Sequence, residues 1–390
     1  MATESEVTVG HRDYTTAGFD SPEVQHNIMA FVGNGFDLQV ASDYQMPIDT
    51  RYASFYHFLK LRSFDETNPI LQEMEELQRA RKDNWSDVEA VVEKMLRENR
   101  VRPRELGESL RRIQEQFSQF LELAVPSSLL VRLGADSMNN NSAVTSLQEF
   151  LGDLDRDDYA RLQFPKRINN FDVFNFFFVN FNYTSLLDDF VYLDQQQFDP
   201  RPYKTVDRNF DFKIDPGAVA GEWGDHFSSY VTSDVVHPHG HQSIPRSLLF
   251  GVDTPQHVRG NQDPALRLAK PFWAQNDLRY RHLFDDAELF IIFGCSLGES
   301  DRWWWKHIAD ALGTERTRSD GVRKYSPELI LYWFNGGGNV WDVDAVCDKF
   351  LEFAAPSERA RLREYVHVVM HDVGTARNWL NTSPADGSKL

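Results

Sequence analysis

Apolar residues along this 390-residue chain follow two rhythms. Short continuous runs occur at Ile28–Val32, 174–181, Val231–Val236, Ser247–Phe250, Leu289–Phe293, Leu329–Phe334 and Tyr365–Met370. Each is bounded by turn-forming residues, the signature of buried strands. Between the first two runs the spacing changes to three and four, as on a helix face. It covers Tyr52–Leu61, then Leu71, Met74 and Leu77, then Val88, Val91, Val92 and Met95, then Ile113, Phe117, Phe120 and Leu121. Pro103 suits the first turn of a new helix, and Asn139-Asn140-Asn141 is a loop signal before a short helix at Thr145–Leu154. Further helices are expected at Leu186–Leu193, within 263–286, from about Asp301, and over Trp341–Phe353, while 199–230 reads as irregular.

Strands alternating with helices imply an α/β fold: a mainly parallel, Rossmann-like sheet with helices on both faces. The stretch between the first two strands, roughly 140 residues, far exceeds an ordinary crossover. It is read as a helical insertion over 50–165, packed above the strand ends, with the core formed by 28–49 and 166–380. Residues 1–27 read as a polar leader and 381–390 as a polar tail, and no internal repeat is visible.

Composition narrows the function classes. With 59 acidic against 41 basic residues, the net charge of -18 repels nucleic acid and anionic membrane. Neither is expected as a direct partner, whereas a small anionic ligand can still be held by backbone amides. Two cysteines, Cys295 and Cys347, make neither a disulfide framework nor a zinc ribbon. No apolar stretch reaches membrane-spanning length and the N-terminus is acidic, so the cytoplasm is the expected compartment.

Four polar motifs fall at the carboxyl ends of apolar runs, the edge where open α/β sheets bind ligands. They are G-N-G-F-D (Gly33, Asn34, Gly35, Phe36, Asp37), F-N-Y-T (with Asn182, Tyr183, Thr184), H-P-H-G (with His239 and Gly240), and F-G-C-S-L-G-E-S-D (with Gly294, Ser296, Leu297 and Asp301). A G-x-G turn opening a helix presents amides to phosphate. Each motif also has a plain reading: a tight turn at the glycines, a helix cap at Asn182, a turn residue at His239. Three histidines in five residues lack a neighbouring Cys or carboxylate cluster, so no metal is expected.

The ordered set resembles the bacteriophage abortive-infection AbiH family, which adds a W-x-x-x-E element, here Trp85 to Glu89. The resemblance runs from about residue 28 to 310 and implies a role in anti-phage defence. More distantly the order resembles sirtuin-like NAD-binding domains. That resemblance places Gly33 and Gly35 on the phosphate turn, Asn182 on the loop asparagine, His239 on the histidine before glycine, and Gly294 and Ser296 on the adenine-ribose loop. It implies NAD as substrate or ligand. The zinc module of deacetylating sirtuins has no counterpart here, so cleavage of NAD by water is the more natural chemistry.

Such cleavage builds positive charge on the sugar. A neutral imidazole can serve as general base, giving His239 and Asn182 catalytic roles. Asp37 is a candidate for a ribose hydroxyl and equally for a plain helix-start carboxylate. Trp85 and Glu89, four apart on an expected helix, share one face: the plain reading is packing for Trp85 and a solvated or paired Glu89, the sharper one a helix that covers the pocket with Glu89 reaching in. A nucleotide-binding sensor without turnover remains the alternative, with a homo-oligomer or a phage-derived trigger as further partners. A nuclease is disfavoured by the acidic surface.

Overall fold

In the computed structural model, which describes residues 24–82, 85–166, 172–193, 210–217, 227–253, 264–317, 321–322, 324–336 and 341–384, the first apolar run is strand β1 (Gln25–Val32) at the middle of a sheet. Its partners are β2 (Val173–Asn180), β3 (Phe210–Phe212), β4 (Phe227–Val236) and β5 (Leu289–Phe293). A small separate pair, β6 (Arg316–Thr317) and β7 (Lys324–Tyr325), precedes β8 (Glu328–Phe334) and β9 (Val366–His371). The large sheet has the order β3-β4-β2-β1-β5-β8-β9. Six of these strands are parallel, and only the short edge strand β3 runs antiparallel, against β4.

The apolar runs are continuous because the parallel strands are buried on both faces. In β1, Ile28, Ala30 and Val32 point to one core and Met29 and Phe31 to the other, the period of two expected of a strand. The second core is aromatic: Phe31 lies 5.8 Å from Trp304 and 6.1 Å from Trp305, ring centre to ring centre.

Helix α1 (Asn34–Asp43) leaves β1, and the insertion follows as α2 (Tyr52–Leu61), α3 (Pro69–Arg79), α4 (Val88–Arg97), α5 (Pro103–Ala124), α6 (Ser127–Asn140), α7 (Ser142–Gln148) and α8 (Arg156–Arg161). Its apolar faces share one continuous core with Ile28, Ala30 and Phe176 of the sheet. After β2 comes α9 (Leu186–Val191), and beyond β4 come α10 (Lys270–Trp273), two further single turns, α11 (Arg302–Ala311) after β5, and α12 (Val343–Leu351).

Several boundaries differ from the sequence reading. β1 starts at Gln25, inside the segment read as leader, and residues 1–23 lie outside those described, as do 385–390 of the tail. The described part of that tail is not loose: Thr382 is buried and hydrogen-bonds Gln39 and Asp43 of α1. Asn139 and Asn140 remain helical, and the break falls one residue later at Asn141, in the left-handed region at φ 53°. Ser247–Phe250 is not a strand. The Ser247 hydroxyl folds back onto the His241 and Ile244 carbonyls, closing a turn before any sheet pairing is possible. The expected irregular segment 199–230 lies largely outside the described residues, yet its last part belongs to β4.

The chain lays β2 and β4 to one side of β1 and then returns to place β5, β8 and β9 on the other. The order therefore reverses between β1 and β5. Parallel pairing brings the residues after Val32, Asn180, Val236 and Phe293 to one edge. A crevice at that reversal point is where doubly wound sheets hold ligands.

Candidate functional site

A cavity of about 890 Å³ lies at this edge, within the size range of small-molecule sites. Its wall brings together Gly33, Asn34, Gly35, Asp37, Asn182, Tyr183, Thr184, His239, Gly294, Ser296 and Asp301 from the four motifs. The insertion adds Tyr52, Asp87, Glu89 and Phe117.

The first glycine turn has a packing reason of its own. A Cβ on Gly35 would sit 2.6 Å from the Gly294 Cα, and one on Gly33 would sit 2.7 Å from the Gly294 oxygen. The Gly33 and Gly35 amides donate to the carbonyls of Phe293 and Gly294, at 2.9 Å each. The two glycine loops thus lock together across the reversal point, and these two N–H groups are already engaged.

Asn182 does not cap the next helix. Ser185 holds the cap position of α9, and the Asn182 side chain instead donates to the Gly33 carbonyl at 3.1 Å. Thr184 donates to Asp37 at 2.7 Å, leaving the other Asp37 oxygen buried without a hydrogen-bond partner. Burial pushes Asp37 up to about 7, with Thr184 and His237 offsetting part of the effect.

His239 is placed by Gly240, whose φ of 91° favours glycine and where a Cβ would meet the Ser247 oxygen at 2.0 Å. The imidazole stacks on Phe181 at 5.0 Å and its Nε2 lies 3.1 Å from Asp301 Oδ1. Lys270 Nζ reaches the same Asp301 oxygen at 2.9 Å and Glu89 Oε2 at 2.9 Å. The four groups form one row: His239, Asp301, Lys270, Glu89. Glu89 Oε1 is buried without a hydrogen-bond partner.

Electrostatics sorts the row into roles. Burial opposes the charge on Lys270, but Asp301 and Glu89 outweigh it and keep the amine cationic. Burial likewise opposes charge on Asp301, yet Lys270 and His239 hold its carboxyl well below the usual range. Burial, with Lys270 adding to it, lowers His239, so the imidazole is neutral near pH 7. Burial raises Glu89 to about 7 against the pull of Lys270. The array offers a fixed carboxylate, a neutral imidazole and a carboxyl poised near neutrality, the separation of titrations that acid–base sites use.

Trp85 and Glu89 do not share a helix face. α4 begins at Val88, with Asp87 as its cap accepting from the Glu89 and Ala90 amides at 3.0 Å each. Trp85 precedes the helix and packs edge-on against Tyr56 at 4.9 Å, away from the cavity wall. Three other candidate residues from the motifs also stay off that wall. Phe36 packs on Phe190, Gly240 makes the turn, and Leu297 is buried in the aromatic core.

Sequence reasoning missed Lys270 and Arg377. Lys270 is a single lysine before a proline, with no periodic or motif context to mark it. Arg377 lines the cavity, lies over the Phe293 ring at 4.7 Å, and donates to Gln39 and His371 and to the Trp379 and Leu380 carbonyls. None of these partners is a carboxylate.

No curated protein matches the chain. The profile described as bacteriophage abortive infection AbiH matches residues 29–319, from β1 across the insertion and the cavity-lining motifs to the segment after α11. The protein is therefore a member of the AbiH family of bacteriophage abortive-infection proteins.

Proposed function

We propose that the cavity binds NAD and that the protein hydrolyses its nicotinamide–ribose bond as the toxic arm of phage defence. The observation that carries this reading is the buried row His239–Asp301–Lys270–Glu89 at the reversal point of a parallel sheet. The donor set suits such a substrate. The unpartnered oxygens of Asp37 and Glu89 are acceptors for sugar hydroxyls, and Arg377 supplies positive charge on the cavity wall for a diphosphate. The motif order read in the sequence, taken as resembling that of sirtuin-like domains, is in keeping with the same ligand.

In this reading the C–N bond to nicotinamide breaks with its electron pair leaving on the pyridine nitrogen. Positive charge spreads over the sugar, where the ionised Asp301 and the titrating Glu89 favour it electrostatically. Water adds to the same carbon. Neutral His239 donates its Nε2–H to Asp301, accepts the water's proton at Nδ1, and is then stabilised as imidazolium by Asp301 and by its backbone contact to Phe181. Asn182, held by the Gly33 carbonyl, orients water and sugar. The products are nicotinamide, ADP-ribose and one proton.

The test is NAD binding by calorimetry together with nicotinamide release by the purified protein. Binding and release by wild type, with binding but no release by His239→Ala, is the expected pattern. Binding without release by wild type, even with phage lysate added as a source of trigger, would instead favour a nucleotide sensor. Absence of binding would remove NAD as the ligand.

A further inference from the structure

A second cluster meets behind the cavity wall, where α9, the end of β4 and the turn after it converge. Asp188 comes from α9, His237 follows β4, and His241 lies in the turn. One ligand atom from each can be chosen so that all three lie within 4.8 Å of one another. His237 Nε2 is 3.0 Å from both carboxylate oxygens of Asp188, and the His237 and His241 rings are 4.6 Å apart.

The orientation of His237 is informative. Its Nδ1 is 3.0 Å from the Asn182 carbonyl oxygen, which can only accept a hydrogen bond. Nδ1 therefore carries the proton, and Nε2 is the nitrogen turned toward the carboxylate. A backbone carbonyl that fixes one ring nitrogen while the other faces a carboxylate is the arrangement found around metal-bound histidines. Two ligand atoms on a tetrahedral zinc ion, each at about 2.0–2.1 Å, lie about 3.3 Å apart. The observed 3.0 Å between Nε2 and the carboxylate is close to that separation. His241 Nδ1 lies 2.6 Å from the Ser243 hydroxyl, which can accept an Nδ1–H and so free Nε2 for the ion. The Ser243 amide donates to Nδ1 at 3.2 Å, which places the proton on Nε2 in the ion-free ring, so ion binding would have to displace that proton or turn the ring to the other tautomer.

We propose that Asp188, His237 and His241 bind one divalent first-row transition-metal ion, with zinc the best match to a His₂Asp donor set. Asp188 keeps about a third of its side chain exposed (34%), leaving room for water as a fourth ligand. Such an ion would tie α9 to the loop carrying His239 and brace the carbonyl of Asn182. The sequence expectation of no metal rests on three histidines in five residues with no carboxylate or Cys cluster beside them. The carboxylate that completes the set is 49 residues upstream of His237, so no local spacing reveals it. This inference does not depend on NAD being the ligand of the cavity.

The test uses tag-free full-length protein, stripped with a chelator and titrated with Co²⁺ and then Zn²⁺. One equivalent of Co²⁺ should give the visible absorption of a tetrahedral site, Zn²⁺ should displace it, and the melting temperature should rise. Asp188→Asn, nearly isosteric, and His241→Gln, in a half-buried turn, should each weaken binding at least about 10-fold while keeping the wild-type circular dichroism spectrum. No saturable binding by wild type, or the same affinity in both variants, would overturn the proposal and leave a simple histidine–aspartate pair.

Discussion

His239 and Lys270 converge on one oxygen of Asp301, and that shared atom sets what each residue can do. Replacing Lys270 with Met leaves two buried carboxyl groups facing each other without the cation between them. Losing one member of a buried ion pair costs about 3–5 kcal/mol, so Lys270→Met should lower the unfolding midpoint sharply in a denaturant titration. Asn182→Ala loses one buried hydrogen bond, worth about 1 kcal/mol; in the proposed reaction His239→Ala would also remove the general base, worth about 10²–10⁴ in rate. Nicotinamide release measured beside thermal unfolding separates these effects. Stability should also depend on pH. Asp37 and Glu89 have folded pKa values raised to about 7, above their ordinary 3.8 and 4.5. Groups shifted this way bind more protons folded than unfolded. Their contribution is complete below the ordinary values and is lost as pH rises through about 7. His367, raised by Asp158 and Glu328 against the opposing effect of burial, acts in the same direction at higher pH. His371, lowered to about 4 by burial and Arg377, and His239, lowered by burial, act in the opposite direction below their ordinary 6.5. The fall therefore belongs above that value: the melting temperature should drop between pH 6.5 and pH 8, and a rise over that interval would contradict the account. At this scale the sequence shows residues that sit in motifs, such as His239 and Asp301. Lys270 carries no mark, because its partners Glu89 and Asp301 lie 181 and 31 residues away.

Elements were legible where periodicity is strong and obscure where a tertiary contact decides. The β1 run and the helical spacing of α2 to α5 are plain in the sequence because each buries a whole face. The register of the W-x-x-x-E element was not. The capping carboxylate of Asp87 starts α4 after Trp85, so only Glu89 is carried to the cavity. The glycine turn was legible as a turn, but its reason lies in Gly294, 259 positions after Gly35 in the numbering and in direct backbone contact with it. Gly35→Ala should therefore destabilise the fold, by about 1–3 kcal/mol as overpacked sites do. The same change would lower ligand affinity with normal stability if the glycine served only close approach to phosphate. Chemical denaturation alongside calorimetry distinguishes the two outcomes.

Across the whole molecule the insertion and the sheet form one body, because Val91 and Phe117 of the insertion lie in the same core as Ile28 and Phe176. Far-ultraviolet circular dichroism is weighted to the helices of the insertion. Tryptophan fluorescence includes Trp304 and Trp305 on the opposite face of the sheet. The two probes should report coincident unfolding transitions, and an earlier loss of helicity would mean an independently melting insertion. The architecture followed from strand order alone, since a central β1 needs partners that occur only after residue 172. The joint ownership of the cavity by sheet and insertion did not, because Glu89 and Lys270 meet only in three dimensions. The central claim is that this shared cavity consumes NAD during infection. The most direct measurement follows cellular NAD and nicotinamide after phage challenge, in cells carrying wild type or His239→Ala at equal protein levels. A fall in NAD with matching nicotinamide in wild type, absent in the variant, is the predicted result. Unchanged NAD in cells that wild type still protects would contradict it.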